Sequence, residues 1–134
     1  MIFDQETMYS DVQALTNSAG TYDSTNTIDS GADGDTYTNP MFLFVKLGAA
    51  AVGSGASMAV NLLTDDDVAF GSPKTIPLIT ATAVASLTKN AVLVKERLPL
   101  GMQRYSKLQY IISGAALTAG TVTAAIVPEV PTNF

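Results

Sequence analysis

The sequence predicts an all-β chain, an antiparallel sandwich or barrel, and three observations carry that expectation. The apolar residues fall in short runs that alternate with the two-residue period of a strand. Clusters of Gly, Pro, Asn and Asp separate those runs. No segment sustains a helical apolar period. The chain has 134 residues, room for a single β-sandwich domain over 1–134 whose core is large enough to fold without staples.

Taken in order, residues 1–16 read as an extended N-terminal arm, because Thr7, Tyr9 and Val12 disfavour a helix although Asp4 is a fair cap. "NSAGTYDS", 17–24, is turn chemistry, and "TNTID", 25–29, alternates as a strand. "SGADGDTYTNP", 30–40, is a loop closed by Pro40. "MFLFVKL", 41–47, is a dense strand with Met41, Leu43, Val45 and Leu47 on one face and Phe42, Phe44 and Lys46 on the other. Two phenylalanines on the second face predict that this face is covered as well, by a loop, a second layer or another chain.

"GAAAVGSGAS", 48–57, is a small-residue link. "SMAVNLLT", 57–64, turns Met58, Val60 and Leu62 inward and Asn61 outward, and "DDD", 65–67, is a turn tip. "KTIPLIT", 74–80, is a strand interrupted by Pro77, which lacks the ladder donor and so marks an edge or a bulge. "AVLVKERL", 91–98, is the next strand, and Pro99 and Gly101 form a turn. "RYSKLQYIIS", 104–113, places Leu108, Tyr110 and Ile112 on one face and Tyr105, Lys107 and Gln109 on the other. "GTVTAAIV", 120–127, turns Val122, Ala124 and Ile126 inward, and 128–134 is a proline-bearing C-terminal tail.

Composition narrows the chemistry. Apolar residues make up 47% of the chain, which excludes wholesale disorder, and charged residues only 14%, which leaves a neutral surface suited to being covered by partners. Net charge is −5, a poor match for nucleic acid. Five of the seven basic residues, Lys89, Lys95, Arg97, Arg104 and Lys107, fall in one region; they are either solvated strand positions or a small basic face. There is no histidine and no cysteine, so histidine-assisted nucleophiles, disulfides and zinc sites with their usual ligands are excluded. Asp29, Asp33 and Asp35 do not satisfy an EF-hand loop, because its third position is Gly31 and its twelfth Pro40. A looser cation site there or at Asp65–Asp67 competes with plain turn chemistry. The glycines of 48–57 lack the Lys-Ser/Thr ending of a phosphate loop. The sequence therefore predicts no catalytic residues, no cofactor, no metal and no enzyme. The start of the chain has no signal-peptide pattern, and 42–63 is too interrupted for a membrane span.

"LPLGMQRYSKLQYIISGAALTAGTVTAAIV", 98–127, resembles the capsid cement (decoration) proteins of certain short-tailed bacteriophages, the small jelly-roll type first seen on a Bordetella phage. The resemblance lies in the proline-glycine turn, the Arg-Tyr pair opening a strand of form "RYxxLxY", and the "TAGxxTAxIV" strand after it. "YSDVQAL" at 9–15, "STNTIDSG" at 24–31, "MFLFVKL" and "VNLLTDDD" follow in that family's order. The resemblance implies a jelly roll acting as a structural virion protein. It would lie on the outer capsid surface after synthesis in the host cytoplasm, as a homo-oligomer (dimer or trimer) bridging neighbouring major capsid protein subunits. Candidate contacts are Arg104, Tyr105 and Lys107 near the turn, and Ile2, Phe3, Met8 and Tyr9 in the arm. Arg104 can equally pair with an acid of its own subunit. The rival readings are a phage tail, fibre or receptor-binding module, a carbohydrate-binding sandwich (this chain has no tryptophan), and a hydrolase working with carboxylates alone.

Overall fold

A computed structural model describes residues 7–31, 41–99 and 101–128. Among these residues nine strands follow in chain order: β1 (Met8–Ala14), β2 (Gly20–Asp23), β3 (Ile28–Asp29), β4 (Phe42–Leu47), β5 (Ser57–Asp65), β6 (Lys74–Ala83), β7 (Val92–Arg97), β8 (Tyr105–Ser113) and β9 (Thr121–Val127). Val84–Ser86 forms a short 3-10 turn after β6. No described helix is long and apolar enough to cross a membrane.

The strands form two antiparallel sheets. The first runs β1-β9-β4-β7; the second runs β2-β8-β5-β6, with β3 also on β8. The chain thus crosses repeatedly from one sheet to the other, and the core lies between them. The predicted inward rows hold: Leu43, Val45 and Leu47 of β4, Met58, Val60 and Leu62 of β5, and Leu108, Tyr110 and Ile112 of β8 are all buried there. Burial alternates strictly along β8, as a sheet that hides one face demands, whereas β4 and β9 are buried on both faces.

Two expectations are corrected. Residues 17–24 do not form a turn throughout: Gly20–Asp23 is β2, and its Tyr22 packs on the core. Pairing with β8 supplies the backbone partners that local composition did not advertise. The expected arm is also not free over its second half, because Met8–Ala14 is β1, an edge strand paired with β9. Residues 1–6, the rest of that arm, lie outside the described residues, as does the tail from 129 onward.

The register of β1 explains its burial. Met8 faces Ala125, yet Ser10 faces Ala124, so one extra residue is inserted on β1; a second irregularity lies between Ser10 and Gln13. Val12, within it, has φ of 48°, a left-handed backbone uncommon for a β-branched residue. The first bulge lets two consecutive side chains, Tyr9 and Ser10, both turn inward. The Tyr9 phenol hydrogen-bonds Ser106 Oγ at 2.8 Å, and the Tyr110 phenol meets Ser10 Oγ at 2.8 Å. Ser10 spends its own proton on Gln13 Oε1 at 2.6 Å, so Tyr110 is the donor to Ser10. Burial pushes the Tyr110 phenol well above its usual range and keeps it protonated for that role. Gln13 passes the connection on, accepting from the backbone N–H of Thr25 and donating to the carbonyl of Asp23.

The sheet edges are protected from adding strands by accident. β1 carries its bulges and β2 and β3 are short. β7 presents Lys95, Glu96 and Arg97. β6 carries Pro77 at the edge, with a register irregularity beside it, as its sequence predicted.

Ser10→Ala should cost about 1–3 kcal/mol, because it strands a buried phenol donor. Ser10→Ala/Tyr110→Phe should recover much of that loss, since no polar atom is then left unpaired. Urea unfolding of the single and double variants decides; a double variant as unstable as the sum of its parts would refute the pairing.

Candidate functional site

β8 crosses the middle of the second sheet and alternates strictly, so Tyr105, Lys107 and Gln109 stand on its outer face while Leu108 and Tyr110 fill the core. The strands beside it determine what those outer side chains meet. β3 pairs Asp29 with Tyr105, and β2 pairs Asp23 with Gln109. Two carboxylates are thereby set along one side of β8.

Arg104, just ahead of β8, forks onto Asp29: Nε donates to Oδ1 at 2.8 Å and Nη2 to Oδ2 at 3.1 Å. Its guanidinium also lies 5.0 Å from the centre of the Tyr105 ring. Lys107 donates to Asp23 Oδ2 at 3.0 Å, with its ammonium 4.4 Å from the centre of the Phe70 ring. The outer face of β8 thus carries two acid–cation–aromatic groups, each neutral overall. Both remain partly open: the side chains of Arg104 and Asp29 are 43% and 44% exposed, and those of Lys107 and Asp23 are 18% and 51%.

Phe70 belongs to the loop after β5, and the carboxylate of Asp65 shapes that loop. Its Oδ1 accepts the N–H of Asp67, and its Oδ2 accepts the N–H of Ser72 at 2.9 Å. Burial drives the Asp65 carboxyl up, but these bonds, led by that from Ser72, outweigh it and hold it below the ordinary carboxylate range. Phe70 itself has φ of 53°, so the loop keeps it in a backbone state an aromatic residue rarely adopts.

The sequence-predicted contacts separate into three groups. Arg104, Tyr105 and Lys107 come together on this face. Met8 and Tyr9 do not join them: both are buried, Met8 beside Phe44 and Ala125 on the far side of the first sheet, and Tyr9 in the central core. They are corrected to structural residues: consecutive positions of a strand face opposite sides of its sheet, and here both sides are buried. Ile2 and Phe3 lie outside the described residues. Asp23, Asp29 and Phe70 were not singled out as parts of this surface, and no local pattern marks them, since the register of β2 and β3 on β8 is what brings the acids there. Among the described residues no group of three or more His, Cys, Asp or Glu is placed to hold a metal ion. Asp29 also accepts the N–H of Gly31, and Asp33 and Asp35 fall outside the described residues.

The hydrogen bonds from Arg104, then that from Gly31, hold the Asp29 carboxyl below its ordinary range. A depressed folded value means that the pair favours the folded state above the usual carboxylate pKa and that this contribution fades as pH falls through the folded one. In Arg104→Ala, the Asp29 titration followed by carboxyl-carbon NMR should move up toward its ordinary value. A midpoint unchanged by the substitution would show that the fork does not form in solution.

The Bbp16 family profile matches residues 9–126, a span that reaches from β1 into β9 and so takes in both sheets. No curated protein matches the chain. The chain belongs to the Bbp16 family.

Proposed function

We propose that this Bbp16-family protein is a structural component of a phage virion that binds the outside of the icosahedral shell and clamps neighbouring major capsid protein subunits. The family match over nearly the whole described chain carries the reading, and it agrees with the resemblance of 98–127 to the Bordetella-phage cement type. On this reading the protein is not an enzyme, needs no cofactor, and meets its own copies and the shell protein as partners.

The fold supports it. Counting β2 and β3 as one interrupted strand, the sheet orders become 1-8-3-6 and 2-7-4-5, the winding of a jelly roll, and we read the sandwich as one. A clamp repeated over a shell needs a rigid body and many modest contacts, because multivalency multiplies them. The guarded strand edges keep such a body from joining its copies through stray pairing.

The outer face of β8 is the proposed shell contact. Its charges are already neutralised by Asp23 and Asp29, so docking does not strand an unpaired ion, while Tyr105 and the guanidinium of Arg104 supply the aromatic and arginine groups that anchor interfaces. Arg104→Ala/Tyr105→Ala should weaken decoration of empty shells by about tenfold, ~1.4 kcal/mol, with little change in melting temperature. Binding equal to that of the unaltered protein would remove this face from the interface.

The broader reading is tested by stoichiometry. In purified particles the 14.0 kDa band should stand in a simple ratio to the major shell protein. A few copies per particle would favour a tail or receptor-binding part, and complete absence would end the virion reading.

A further inference from the structure

β7 ends the first sheet: it pairs with β4 on one side and with no described strand on the other. The register shows which of its main-chain groups are left open. Leu98 donates its N–H to the carbonyl of Met41, one step beyond the Phe42–Arg97 pair. Directly opposed residues of an antiparallel ladder alternate between bonded and non-bonded pairs. Glu96, opposite Leu43, and Val94, opposite Val45, therefore bond β4, while Lys95 and Arg97 turn their N–H and C=O groups to the open edge. Lys95, Glu96 and Arg97 are all exposed.

The side chains along that edge are patterned by charge. Lys95 stands opposite Phe44 and Arg97 opposite Phe42, so both cations lie on the outer face of the sheet, with Lys46 behind them on the same face. Among the described residues none of these three cations forms an ion pair. Glu96, between Lys95 and Arg97, points to the other side of the strand.

We infer that the β7 edge takes an extended segment of a partner protein as an added strand, and that it selects a segment with carboxylates at two alternate positions and a non-acidic residue between them. Residues two apart on a strand are about 7 Å from each other, so side chains at alternate positions of the incoming strand stand beside Lys95 and Arg97. The main-chain groups of those same two residues supply the ladder bonds. Glu96 faces the residue between the two acids and repels a third carboxylate there, so an unbroken acidic run is disfavoured. A second copy of β7 is refused as well: paired about Glu96, it sets Glu96 against Glu96 and Lys95 against Arg97. A nucleic acid has no use for the open main-chain groups, and the net charge of −5 resists a long polyanion. The charges that keep stray strands off this edge thus admit one of complementary pattern. The inference does not rest on the shell-binding reading, which uses the outer face of the other sheet.

The test uses the whole chain and capped peptides, read by NMR at the backbone N–H groups of Lys95 and Arg97. A peptide that alternates valine with two glutamates, at millimolar concentration, should shift both signals and slow their exchange with solvent. The same peptide with lysine in place of glutamate, or with a third glutamate in place of the valine between the acids, should bind at least about tenfold more weakly. Lys95→Glu/Arg97→Glu should reverse the preference, so that the lysine peptide binds and the glutamate peptide does not, a result that a damaged fold does not give. No shift at Lys95 and Arg97 with the alternating glutamate peptide, equal binding by the peptide with three adjacent glutamates or by a short oligothymidylate, or binding kept when the peptide's backbone is N-methylated would each overturn the inference.

Discussion

The two layers of this sandwich are joined by the inward turn of Tyr9 and Ser10. An ordinary strand would bury one of two consecutive residues and expose the other. The inserted residue on β1 removes that restriction, and the two side chains reach across the interlayer space to Ser106 and Tyr110 of β8. Buried phenols and hydroxyls are costly when unpaired, so the arrangement tolerates only one relative position of the sheets. Gln13 extends the same network to the end of β2 and the chain leaving it, so β1, β2 and β8 are locked as one unit.

That lock also decides what each outer face can be. With β2 and β3 held along one side of β8, Asp23 and Asp29 are delivered to Lys107 and Arg104, and the outer face of the second sheet becomes charge-balanced and partly open. The outer face of the first sheet is the reverse: an apolar centre built from Phe42, Phe44, Ala125 and Val127, fringed by Lys46, Lys95 and Arg97. A low-charge chain can sustain both only because its few ions are distributed by register.

The acidic loop after β5 shows the same economy. Asp65 is buried, and its two oxygens are saturated by backbone N–H groups, which makes "DDD" a loop-shaping device that presents the Phe70 ring to Lys107. The sequence read this stretch as a turn tip, which it is, without the side chain at Phe70 that connects it to β8.

The sequence by itself determined the β class, the inward rows of β4, β5, β8 and β9, and the edge character of Pro77, because alternation and proline chemistry are local properties that need no partner to be read. It also set the absence of histidine and cysteine, and with it the range of chemistry open to the chain. Only the tertiary structure decided that Gly20–Asp23 is a strand, that Met8 and Tyr9 are buried, and that Arg104 and Lys107 belong to Asp29 and Asp23. Each of these depends on pairing register between distant segments. A single inserted residue on β1 changes which side chains face the core while leaving the local pattern of apolar and polar residues almost untouched.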